Sequence, residues 1–139
     1  MDWTLELIVV PVSDIDRAKA FYVDQAGFVE LVDVKVGEET RVVQLTPRGS
    51  GCAIALMNST PMKPGSIYGL HVIVRDIERA RAELAGRGVE ISDFFHFDAT
   101  GQVDGPDPAR SNYNTFASFA DPDGNTWLVQ EVDHSKDQG

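Results

Sequence analysis

The sequence has little of what would force an unusual architecture. It holds one cysteine in 139 residues, Cys52, so no disulfide forms within the chain. Cys52 sits in an apolar run and reads as a small core residue. No apolar run approaches the ~20 residues of a membrane span, and Met1–Thr4 does not read as a signal peptide. Basic residues are scarce: 12 Lys and Arg face 22 Asp and Glu, for a formal net charge of −10, and no basic block occurs. That balance argues against nucleic acid and against an anionic membrane as partners. No phosphate-cradling glycine loop, zinc-ligand spacing, serine triad or cysteine dyad is present. A chain with these absences is expected in the cytoplasm.

What is present is a repeat. Val10–Ala20 reads VPVSDIDRAKA and Val72–Ala82 reads VIVRDIERARA, with seven identities in eleven positions at an offset of 62 residues, from Asp14 to Asp76. Self-similarity at a fixed offset marks a repeated structural unit. Each copy is an alternating apolar strand followed by an Asp suited to capping a helix. Ile15, Ala18 and Tyr22, like Ile77, Ala80 and Leu84, then fall on one helix face. Strand parity divides the copies further. The shared valines, Val10/Val72 and Val12/Val74, belong on one face, assigned to the helix. Val9 against His71, and Pro11 against Ile73, mark a divergent face where function is expected.

Taken in order, strands are expected over Trp3–Val12, Phe28–Val36, Thr40–Thr46 and Cys52–Met57, with a first helix reaching Gln25. Asn58–Ser66, with Pro61, Pro64 and Gly65, reads as a linker. Tyr68–Val74 opens a second module, followed by a helix to about Ala85 and strands over Val89–Phe97, Thr115–Ala120 and Thr126–Val132. Asp98–Asn112 reads as a long, lid-like loop. Asp121–Asn125, DPDGN, is a hairpin signal. The expected division is a first module over 1–58, a linker over 59–66, a second module over 67–132 and a flexible tail over 133–139, all within one structural domain.

Three stretches, VVPVSDIDRAKAFY, GLHVIVRDIERARAELAGRGVEI and FASFADPDGNTWLVQEV, resemble the glyoxalase / bleomycin-resistance / extradiol-dioxygenase (vicinal oxygen chelate) superfamily, over essentially Leu5 to Val132. The resemblance implies an α+β fold of two tandem βαβββ modules, their curled mixed sheet enclosing a shared cavity. In the family's metalloenzymes a divalent ion sits there as a Lewis acid. Carried over, the ligand positions fall on Leu7, Ile54, Gly69 and Leu128, none of which has a side-chain donor. No metal and no other cofactor is therefore expected. A divalent site shifted two residues along, to His71 and Gln130, is the alternative. Glu131 lies next to Gln130 but on the opposite face by parity.

The expected ligand-binding residues are Leu7, Val9, Ile54, Leu56, Gly69, His71, Ile73, Phe95, Phe97, Tyr113, Leu128 and Gln130, with His71 the one candidate for acid/base catalysis. His96, within FFHF, reads as part of an aromatic cluster, Arg110 as a solvated surface charge, and Trp127 as core. The expected function is binding of a small organic molecule in an apolar cavity, by a sequestering protein or a metal-independent enzyme. The alternatives are a metal-dependent lyase or isomerase, or a ring-cleaving dioxygenase. A homodimer is expected, since the family commonly pairs and open sheets leave edges to cover.

Overall fold

The computed structural model describes residues 1–133, and the expected tail beyond Asp133 lies outside the described residues. The chain forms two compact units. One comprises Met1–Ile67 with Asp121–Asn125, the other Tyr68–Ala120 with the residues from Thr126 onward. Each carries its own sheet, and neither sheet closes. Among the described residues no helix is long and apolar enough to cross a membrane.

In the first unit, β1 (Leu7–Pro11) leads to α1 (Ile15–Ala20), which continues as one π-helical turn over Phe21–Gln25. Then come β2 (Val29–Val36), β3 (Thr40–Thr46) and β4 (Ala53–Met57), in sheet order β1-β4-β3-β2. In the second, β5 (Tyr68–Val74) and α2 (Ile77–Gly86) precede β6 (Phe95–Asp98), β7 (Gly101–Asp104), β8 (Phe116–Ala120) and β9 (Thr126–Glu131), in order β5-β9-β8-β6-β7. The first strand of each unit runs parallel to its last, and the other pairs are antiparallel.

The repeat is visible in the backbone. Asp14 accepts from the amide of Arg17 and Asp76 from that of Arg79, each at 3.1 Å, so both acids cap their helices as the sequence predicts. Val10 and Val12 are fully buried, as are Leu45, Leu56 and Tyr22. On the same side of the first sheet, Arg41 of β3 forks onto Asp33 of β2 through Nε and Nη2, both at 2.9 Å, while Lys19 of α1 reaches Asp33 at 2.6 Å. The Arg41 and Lys19 cations hold the Asp33 carboxyl well below the usual carboxylate range.

Two expectations are corrected. The strand placed over Val89–Phe97 forms only from Phe95, after an isolated bridge at Ile91 to Phe119. The cause is local. The Ser92 hydroxyl takes the Ser118 amide at 2.9 Å, where a ladder carbonyl would stand, and Arg81 draws off the carbonyls of Ser92 at 2.8 Å and Ile91 at 3.3 Å. The loop placed over Asp98–Asn112 begins with a hairpin instead. Asp98 accepts from the amide and hydroxyl of Thr100, at 2.7 and 2.5 Å, and β7 returns along β6. β7 reads Gly-Gln-Val-Asp, so no apolar alternation announces it. The second module therefore has four strands after its helix rather than three.

The first unit is centred on a buried polar knot. Asp121 Oδ1 accepts the amides of Asp123 (2.9 Å), Gly124 (3.0 Å) and Asn125 (3.0 Å). Its Oδ2 accepts from the Tyr22 hydroxyl at 2.8 Å and Asn125 Nδ2 at 2.7 Å. Asn125 also donates to the Pro11 carbonyl at 2.9 Å and accepts from the Ile67 amide at 3.1 Å. Gly65 has φ +81, and a Cβ there would stand 2.1 Å from the Asp123 carbonyl oxygen, so only glycine fits. Tyr22→Phe should lower unfolding stability by about 1–3 kcal/mol, because it leaves a carboxylate oxygen short of a donor in a dry site. Asn125→Ala should cost more, since it strands the Pro11 carbonyl and the Ile67 amide together. Urea denaturation of both variants checks this, and a Tyr22→Phe curve superimposable on wild type would refute it.

Candidate functional site

The β-pleat assembles a site on one face of the second sheet. His71 of β5 lies opposite Leu128 of β9, and Ile73 opposite Gln130. Leu128 pairs with Ser118 of β8, Gln130 with Phe116, and Phe116 with Phe95 of β6. Partners share a face and alternate residues return to it. His71, Ile73, Leu128, Gln130, Ser118, Phe116, Phe95 and Phe97 therefore stand together. Phe95 stacks on Phe116 with centroids 5.5 Å apart, and Phe97 meets Phe116 edge-on at 5.5 Å. Ile73 is 51% exposed and Phe97 46%, so this apolar face is open.

The polar groups on that face are held. His71 Nδ1 lies 2.5 Å from the Gly69 carbonyl oxygen. Gln130 Nε2 donates to the Tyr113 carbonyl at 2.9 Å, and the Tyr113 amide donates to the Glu131 carbonyl at 2.9 Å. Tyr113 adopts φ +69 and remains exposed beside this rim. Asn114 clasps Phe97, accepting from its amide at 3.0 Å and donating to its carbonyl at 2.9 Å. Gly69, at φ +89 where the β5–β9 register shifts, contributes its carbonyl.

The opposite face is core. Trp127 is buried and stacks on Phe119, 6.1 Å away with planes 4° apart, as its parity predicts. Glu131 is also buried there and accepts from the Ile77 amide at 3.2 Å. Arg110 is not the solvated charge the sequence suggested. It forks onto Glu131 through Nε (2.9 Å) and Nη2 (2.8 Å) and reaches Glu78 through Nη1 at 2.9 Å. Sequence periodicity gives no sign of this pair, because its members are 21 residues apart, on a loop and at the end of β9. His96 is buried and its Nδ1 meets the Gly105 carbonyl at 2.7 Å, a structural role.

In the first unit, Leu7 and Val9 line an apolar hollow of about 210 Å³ with Val42, Gln44, Ala55 and Met57. Ile54 does not line this hollow, and Leu56, which borders it, is fully buried. Register pairs them with Ile8 and Val10, so their side chains turn to the buried face. Val9 pairs with Ala55 as His71 pairs with Leu128, so Ala55, not Ile54, is the β4 counterpart of Leu128. A one-residue slip in a strand exchanges the faces. Among the missed members of the two faces are Ala55, Phe116 and Ser118, which depend on cross-strand register that one sequence does not display.

The fit of a divalent ion can be judged from these donors. Leu7, Ala55, Gly69 and Leu128 offer no side-chain ligand. Among the described residues no group of three or more His, Cys, Asp or Glu is placed to share an ion. Gln130 is engaged with Tyr113, and Glu131 faces away, bound by Arg110. The residues present do not fit a metal held in the family's manner.

The loop bearing Tyr113 is fixed by Asp107, which accepts from the amides of Ser111 at 3.0 Å and Ala109 at 3.2 Å. The Ser111 amide, above all, holds the Asp107 carboxyl below its ordinary range, against the opposing effect of burial. A depressed folded pKa stabilises the loop above the ordinary carboxylate value, and the contribution is lost as pH falls through the folded value. The Ser111 and Ala109 amide shifts should therefore hold steady from about pH 7 to about pH 4.5 and move only below about pH 4. A titration of both amides near pH 5 would contradict the assignment.

Comparison with known proteins agrees with this architecture. The Glyoxalase/Bleomycin resistance protein/Dioxygenase superfamily matches residues 4–129, and the chain belongs to it. TnmS3, an antibiotic binding protein from Streptomyces sp. CB03234, is 32% identical with TM-score 0.75, covering 94% of this chain and 97% of its own. A glyoxalase/bleomycin resistance protein from the same source is 33% identical with TM-score 0.72, covering 92% of this chain and 100% of its own. YetH of Bacillus subtilis (strain 168), an uncharacterized protein, is 24% identical over 126 residues, 89% of this chain and 94% of its own.

Proposed function

We propose that the protein binds a small, largely apolar organic molecule on the open face built from β5, β9, β8 and β6, without a divalent metal, and sequesters it in the cytoplasm. The observation that carries this reading is the wall of exposed Phe97 and Ile73 and half-buried Phe95 over buried Phe116, with His71 and Gln130 set into it. Exposed apolar surface with a few fixed polar groups is what ligand sites present. The likeness to an antibiotic binding protein at 32% identity supports the same reading.

His71 contacts the ligand in this proposal. Where the ligand is turned over, His71 is the acid/base group, because the Gly69 carbonyl fixes its Nδ1 and leaves Nε2 on the open face. The competing reading, a metal-dependent lyase, isomerase or dioxygenase, requires donors that Leu7, Ala55, Gly69 and Leu128 do not supply. A homodimer completes the proposal, since both sheets are open and Leu31, Val34 and Val36 of β2 are each exposed.

N-phenyl-1-naphthylamine, a neutral fluorescent aromatic, should bind saturably, and chelator should leave its affinity unchanged. Phe97→Ala should weaken it about tenfold, on the order of 1.4 kcal/mol, and His71→Ala should weaken it without releasing an ion. Elemental analysis that finds about one ion per chain, lost in His71→Ala, would replace this reading with the metalloenzyme. Light scattering at micromolar concentration should give twice the chain mass; a monomer mass would remove the dimer.

A further inference from the structure

We infer that this face selects aromatic ligands bearing hydrogen-bond donors, phenols or aromatic amines, because His71 at its centre presents a lone-pair acceptor. The inference rests on the binding reading above and names the ligand class.

The argument is one of hydrogen-bond polarity. A carbonyl only accepts, so the contact between His71 Nδ1 and the Gly69 oxygen requires the proton on Nδ1. In the neutral ring Nε2 is then a lone-pair acceptor. Gln130 spends one of its two Nε2 hydrogens on the Tyr113 carbonyl, and its Oε1 adds a second acceptor to the face. Several donors around the sheet are engaged. Asn114 is used in both directions on Phe97. Arg110 is bound to Glu131 and Glu78, and Arg81 to the Ser92 and Ile91 carbonyls and to Asp93.

A hollow of about 610 Å³ lies beside this wall. Phe95 and Ser118 border it, together with the carboxylates of Asp93 and Asp104 and with Arg81, whose guanidinium is engaged with Asp93 and the Ser92 and Ile91 carbonyls. Its neutral side chains able to donate are Ser92, bound to the Asp93 carbonyl, Ser118 and Gln102. A ligand with only acceptors would cover His71 Nε2 and leave it without a partner. Sites built for a donor reject analogues that lack it. The net charge of −10 acts against anions in the same direction.

Three naphthalenes of matched shape test this: 2-naphthol as donor, 2-methoxynaphthalene without one, and 2-naphthoate as an anionic acceptor. Binding is read from amide shifts of the full chain at about pH 8, above the ordinary imidazole range. The expected order is 2-naphthol about tenfold tighter than 2-methoxynaphthalene, with 2-naphthoate weakest, and shifts centred on His71, Ile73, Leu128 and Gln130. Gln130→Lys, on the open face, installs a cationic donor and should raise 2-naphthoate above 2-naphthol. Equal binding of the naphthol and its methyl ether, or an unchanged order in Gln130→Lys, overturns the polarity inference and leaves the binding reading standing. If no probe shifts these residues, both fall. Shifts there that follow protein concentration and ignore the probes would mean that a second copy covers the face, which also overturns the inference.

Discussion

The Asp121 carboxylate organises the first unit more than any apolar contact does. It is buried, so each of its lone pairs needs a donor, and it finds them in three successive amides, a helix tyrosine and the Asn125 amide. A buried acceptor that fully satisfied is rigid; partly satisfied it is costly. That requirement fixes several things together. The DPDGN segment takes one conformation, Tyr22 has its ring in the core and its hydroxyl on a carboxylate, and the end of β1 is tied through the Pro11 carbonyl. Ser13 adds its hydroxyl to Asp123 at 2.5 Å, so the start of α1 is set against the same segment.

In the second unit the organising rule is the alternation of the pleat. It places Glu131 and Gln130, adjacent in sequence, in opposite roles. One is a buried acid that joins α2 to the Arg110 loop, and the other is a neutral amide on the open face. The rule also separates the histidines. His71 is exposed on the open face, whereas His96 is buried under a loop carbonyl. Residue type alone does not distinguish such pairs; position in the ladder does.

Much of the fold was legible because it is local and written twice. Asp14 and Asp76 cap their helices, Val10 and Val12 go to the core, and both follow from spacing within eleven residues. Parity along single strands puts His71, Ile73, Leu128 and Gln130 on one face, as the ladder does. What was not legible depends on pairing between distant strands. Ile54 and Leu56 turn inward because β4 registers against β1 at Ile8 and Val10. β7 exists because an Asp98 turn returns a polar segment along β6, and the strand before it breaks because Ser92 and Arg81 take its ladder bonds. A side chain that competes for backbone groups leaves no trace in hydrophobic periodicity.

That break in the ladder bears on how such a protein diversifies. The β6–β7 hairpin joins the rest of its sheet through the single pair Phe95–Phe116, with Asn114 clasping Phe97 nearby. Yet this hairpin supplies two of the three rings of the wall. Its length and tip are thus separable from the core built by α2, β8 and β9, in the way an exchangeable fitting is separable from its mount. Lineages can rewrite the shape of the wall by insertion or substitution between Phe95 and Asp104 while the repeat, the caps and the buried acids remain as they are.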